Sequence, residues 1–197
     1  MAKSRINSRS INEKLSKSRK VQRAARAKAQ EKFSKAKAMA ISSFKNHVVT
    51  KEIEGGSSAN NSSNTLRGYG NLYSYIGFTT GFDPITPVVS MMESVFKLSS
   101  RSKKISVGQK NVNLSYSVIS PDMTDFESVS PMPWEGGSWI SGIERGISGY
   151  SHYMNKRSKV SRSGSAFQSN HRVRSGSFKT IDYVTSIIKQ FSAQIIR

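Results

Sequence analysis

The sequence predicts an α+β fold: a long basic N-terminal helix, a small antiparallel β-sheet and packed helices that include an amphipathic C-terminal one. Three observations point there. Residues 11–48 contain neither Pro nor Gly and are rich in Ala, Lys, Arg, Gln and Glu, all strong helix formers. Ile105, Val107, Val112, Leu114, Tyr116 and Val118 alternate with polar residues around a GQKN turn, the period of two that a half-buried hairpin requires. Ile181, Val184, Ile187, Ile188, Phe191 and Ile195 recur at helical spacing, which predicts a last helix docked on the sheet.

Taken in order, Ile11 to Val48 reads as one long helix, broken at most once. Its inner stripe runs Leu15, Ser18, Gln22, Ala25, Ala29, Phe33, Ala36, Ala40, Phe44, His47 and becomes apolar only from Ala25 onward, so the first half should be exposed. About 38 helical residues would reach roughly 57 Å, which predicts a basic half that projects toward a partner. A membrane-surface helix is the competing idea, but the apolar side carries Ser and Ala where Leu and Trp would be wanted. The stretch from Met1 to Arg23 offers almost no apolar stripe, so it is expected to be disordered in the free monomer and ordered in an assembly.

Glu54 to Thr65 reads EGGSSANNSSNT, a polar loop in which Gly55 or Gly56 can take the left-handed conformation that stops a helix. A flexible hinge is expected there. Leu66 to Phe78 is the most aromatic stretch, with Leu72, Tyr73, Tyr75, Ile76 and Phe78 close together. Two readings stay open: a buried strand, or a subunit interface to which Trp134 and Trp139 would add. Asp83-Pro84 and Pro87 mark a turn, and Val88, Met91, Met92, Val95 and Leu98 then recur at helical spacing with the methionines as core filler. Arg101, Lys103 and Lys104 read as a basic turn before the hairpin. Pro121, Pro131 and Pro133 bracket a loop ending in WEGGSW. Trp139, Ile143, Ile147, Tyr150 and Met154 trace a further helical face, weakened by Gly142, Gly146 and Gly149. Residues 156–179 are basic and rich in Ser and Gly, with a local echo of RSGSAF in RSGSFK. The organisation expected is a basic helical extension over 1–53, a polar loop over 54–65 and an α+β core over 66–197.

The 197 residues carry 31 Lys and Arg against 12 Asp and Glu, a formal charge of +19, with no Cys and three His. Residues 1–50 hold 14 Lys and Arg against two acids, the central hundred residues sum close to neutrality, and residues 151–197 sum to +8. A neutral middle with basic ends predicts a folded centre and two surfaces for something anionic, or else two solvated arms. Double-stranded DNA without sequence specificity, or an acidic protein partner, fits that chemistry, because clustered cations release counterions from phosphates without any base-reading motif. The contact residues expected are Lys14, Lys17, Arg19, Lys20, Arg23, Arg26, Lys28, Arg162, Arg172 and Arg174.

Other chemistries find no foothold. The absence of Cys excludes disulfides and thiolate metal sites and fits a reducing compartment. His47, His152 and His171 have no second ligand at metal spacing. No Walker A loop or dinucleotide Gly pattern is present, and Glu135 and Glu144 have no spacing that makes them an acid–base pair. No enzyme activity, cofactor or metal is therefore expected. The longest apolar runs span a few residues, far short of the roughly 20 needed to cross a bilayer, and MAKSRINSRS is not followed by the apolar block of a secretory signal.

The order of parts resembles the tail-completion and head–tail joining (neck) proteins of tailed bacteriophages. The residues that carry the likeness are the basic Lys/Ala helix, SSNTLRGYGNLYSYIGF at Ser62 to Phe78, the hairpin, GIERGISGYSHYM at Gly142 to Met154, and SRSGSAFQ with VRSGSFKTIDYV leading into a terminal helix. The resemblance implies a structural virion protein, assembled in the host cytoplasm, that forms a homo-oligomeric ring and contacts neighbouring connector and tail proteins. A cellular nucleic-acid-binding protein of ribosome-associated or nucleoid type is the alternative that charge alone allows.

Overall fold

The computed structural model describes residues 8–66, 70–108, 111–133, 136–145 and 179–196. The basic N-terminal sequence is helical as expected, but in three pieces: α1 (Ser8–Lys17), α2 (Arg19–Asn46) and α3 (Val48–Glu54). The chain turns extended at Ser18 (ψ 121°) and again at His47 (ψ 141°). At the first break the Gln22 side chain donates to the Ser16 carbonyl at 2.9 Å, replacing a backbone bond that the break removes. At the second, the His47 ring nitrogen Nδ1 accepts from the Val49 N–H at 3.3 Å and so caps α3.

These breaks overturn the single projecting rod. α1 and the first half of α2 lie against a hairpin of β1 (Lys97–Val107) and β2 (Val112–Ile119). Asn12 donates to the Gly108 carbonyl at the hairpin tip at 2.9 Å, and the Tyr116 hydroxyl sits 3.5 Å from the Gln22 carbonyl. Ser8 to Lys17 and Arg19 to Arg23 are thus helical within the single chain, and Met1 to Asn7 lie outside the described residues. The antiparallel pairing runs from Lys97↔Ile119 to Val107↔Val112, with irregularities between Leu98 and Lys104. Arg101 and Lys103 lie in that bulged part of β1, so the expected basic turn is strand.

The polar loop is tied down. Gly56 takes the left-handed conformation (φ +65°) while Gly55 stays right-handed. The buried Glu52 carboxylate then accepts from the Ser63 N–H at 2.8 Å and from the Leu72 N–H at 2.7 Å. Two backbone donors that helices and turns would leave bare are satisfied by one charge, so the expected flexible hinge is an anchored loop. Beyond it the aromatic stretch holds a helix in place of the expected strand. It is helix α4 (Leu72–Ile76), capped by Asn71, whose side chain accepts from the Ser74 N–H, and closed by Gly77 at φ +85°.

Leu72, Tyr73, Tyr75, Ile76 and Phe78 are all buried in the chain's own core. Their apolar area is spent within the fold, which leaves little of these five side chains for the subunit contact expected of them. Tyr73 also donates its hydroxyl to the Thr79 and Phe82 carbonyls, and burial pushes the Tyr75 phenol up to about 12. Helix α5 (Ile85–Val95) follows as expected, with Met91 and Met92 buried. Asp83 starts it by accepting from the N–H groups of Ile85 and Thr86.

The Pro-bracketed segment holds a helix, α6 (Met123–Val129), because Asp122 and Asp125 form a reciprocal capping box. Helix α7 (Trp139–Arg145) buries Trp139, Ile140 and Ile143. Helix α8 (Val184–Ile196) packs along α2, not on the sheet. Tyr183 stacks on Phe44 and Phe191 meets Phe33 edge-on, an antiparallel course. The reason is supply: the hairpin's apolar face is only half covered even where it meets the helices, whereas Phe33, Ala36, Ala40 and Phe44 give α8 an apolar groove. One core therefore runs from Phe33 to Phe191 and includes Val49 and Ile53, so packing crosses the boundary expected at residue 53.

Candidate polyanion-binding arm

The hairpin and the N-terminal helices together form an arm of unusual composition. The described residues of 8–30 and 97–119 contain 12 Lys and Arg but one acid, Glu13. The other described residues, in 31–66, 70–96, 120–133, 136–145 and 179–196, hold eight Lys and Arg against ten acids. Among the described residues charge is thus separated in space into a cationic arm and a nearly neutral body. The tertiary pairing of hairpin with helix creates that separation, since the two segments lie far apart in the chain.

On the arm, Lys14 and Lys17 of α1 and Arg19, Lys20, Arg23, Arg26 and Lys28 of α2 are all exposed. Arg19, Arg23 and Arg26 follow at i, i+4 and i+7, which places them along one stripe of the helix. None of these seven forms an ion pair among the described residues. Glu13 is spoken for by Arg9 at 3.5 Å. Farther along α2, Glu31 pairs with Lys35 at 2.7 Å, and that bond holds the Glu31 carboxyl below its ordinary value and the Lys35 ammonium above. Such exposed pairs are screened by salt and add little to stability.

The structure adds three arm cations that the sequence reading did not assign as contacts: Lys97, Arg101 and Lys104, all exposed. The available signal was the acid count, because no Asp or Glu occurs from Lys97 to Ile119. The arm is also poor in aromatic surface. Residues 8–30 contain no Phe, Tyr or Trp, and the hairpin only Tyr116, half-buried against α2. It therefore lacks the stacking platforms that single-stranded nucleic acid uses.

The other expected site residues fare differently. Arg162, Arg172, Arg174 and Trp134 lie outside the described residues. Trp139 is buried and packs against Phe78 and Tyr183 at ring separations of 6.1 and 6.4 Å, so it is a core residue. Glu144 fixes the start of α8, since its carboxylate accepts from the N–H groups of Tyr183 and Thr185, at 3.0 and 2.8 Å, and from the Thr185 hydroxyl at 2.5 Å. Among the described residues no three His, Asp or Glu come together as metal ligands, and no helix is long and apolar enough to cross a membrane.

No family model matches the chain, and no curated protein or solved structure matches it.

Proposed function

We propose that this protein is a structural component of a tailed-bacteriophage particle, built as a homo-oligomeric ring at the head–tail junction, with its basic arm turned toward the DNA. The observation that carries the reading is the separation of charge: among the described residues, 12 cations against one acid on the arm, beside a body that is close to neutral. A surface of that kind suits a phosphate backbone, which presents a charge about every 1.7 Å and is met without base recognition. The particle role rests on the order of sequence parts shared with neck and tail-completion proteins. Because Tyr73, Tyr75 and their neighbours are buried, ring contacts in this reading use other surfaces of the body.

Mass spectrometry of purified particles tests the role. The chain is expected in fixed stoichiometry with connector and tail proteins, and Lys17→Glu with Arg19→Glu and Lys20→Glu should leave the fold intact while impairing particle completion or DNA retention. A chain that instead follows nucleic acid through a host lysate and is lost on nuclease treatment would be a cellular nucleic-acid-binding protein.

A further inference from the structure

We infer that the outer face of the β1–β2 hairpin is a second phosphate-binding face, separate from the helix stripe, whose occupant is the backbone of a nucleic-acid duplex. The inference rests on the reading of the arm as a polyanion contact and adds a site to it.

The geometry is set by strand alternation. Val107, Val112, Leu114, Tyr116 and Val118 are half-buried on the face that meets α1 and α2, where Tyr116 reaches the Gln22 carbonyl. The opposite face carries Lys97 across from Ile119, Lys104 across from Ser115 and Ser106 across from Asn113, and all six are exposed. Arg101, in the bulged part of β1, is exposed as well. Bulges re-aim side chains and blunt a strand edge, here in a stretch where every charge is positive. The Asn12 bond to Gly108 ties this hairpin to α1, and the face stands on the strands, apart in sequence from the helices that bear the first stripe.

The occupant follows from what the face carries. It has cations, small hydroxyl or amide groups and one exposed apolar side chain, Ile119, but no acid and no aromatic ring. Phosphate oxygens accept from Lys, Arg, Ser and Asn in this way, and such contacts position a duplex without reading its sequence. Unpaired bases would find nothing to stack on.

The test is binding of a random-sequence DNA duplex to the full chain across a salt series. Lys97→Gln, Arg101→Gln and Lys104→Gln together should reduce the slope of log K against log salt by up to about 2.7, at about 0.9 per phosphate contact. They should leave the melting temperature unchanged. Ser106→Lys with Asn113→Lys, on the same face, should steepen the slope, which keeps the test decisive even where the triple variant folds poorly. A helix variant, Arg19→Gln with Lys20→Gln and Arg23→Gln, should retain measurable duplex binding that the combined six-residue variant loses. A wild-type slope in both hairpin variants overturns the second face while leaving the helix contact standing. Failure of the wild-type chain to bind duplex at low salt overturns the polyanion reading as a whole, and preference for a single strand or an acidic polypeptide over duplex overturns the choice of occupant.

Discussion

Replacing Glu52 by Gln removes one charge from the best-buried carboxylate among the described residues and keeps its shape. Glu52 is 1% exposed, and its two oxygens accept from Ser63 and Leu72, which lie on either side of the turn from the polar loop into α4. Gln can still accept at one oxygen, but its amide NH2 then faces the second N–H, donor against donor. The change loses one charge-assisted bond and strands a buried backbone donor, a cost of about 2–4 kcal/mol. For a chain of this length that is a fall in melting temperature of roughly 5–15 °C. Urea unfolding measures it as a lower midpoint at unchanged slope, beside Glu54→Gln, an exposed control on the same helix expected within about 0.5 kcal/mol of wild type. A Glu52→Gln loss no larger than the control's would refute the argument that this carboxylate holds the loop.

Phe191→Ala should cost about 3–5 kcal/mol, because the ring is buried against Phe33 and Phe96 where α8 meets α2; an unfolding midpoint like that of wild type would mean α8 is held elsewhere. Tyr73→Ala and Tyr75→Ala should each lose about 3–5 kcal/mol of stability with sedimentation unchanged, and weakened self-association without loss of stability would return these residues to an interface. His47 gives a pH effect of defined sign. Burial lowers its pKa, so the unfolded chain binds the proton more readily; the contribution of His47 is complete above about pH 6.5 and is lost as the pH falls through the lower folded value. His47→Asn keeps a capping oxygen for Val49 and should flatten the melting-temperature profile between about pH 7 and 5, whereas an unaltered profile would assign that dependence to other groups.

The sequence by itself determined the N-terminal helical stretch, α5, the hairpin and the terminal helix, because period and composition are local properties, but it did not show α4, read as a strand or an interface, or α6, read as part of a loop. The apolar stripe of α2 begins to be buried where Phe33 and Ala36 replace smaller and polar residues, and Met91 and Met92 fill the core as their spacing implied. Local sequence was silent on partners. Alternating aromatics at Tyr73 and Tyr75 look the same whether they face a neighbouring subunit or this chain's interior, and only packing assigns them to the core. The same holds for α8, whose apolar face would suit a sheet or a helix and meets the buried Phe33, Ala36, Ala40 and Phe44 of α2. Electrostatics shows the difference most directly. Charge summed along the chain hides Lys97, Arg101 and Lys104 among the acids of neighbouring segments, while folding carries those acids into the body and lays the hairpin beside α1 and α2. Coulombic potential depends on distance in space, not on order along the chain, so the cationic arm exists only once the tertiary structure has formed.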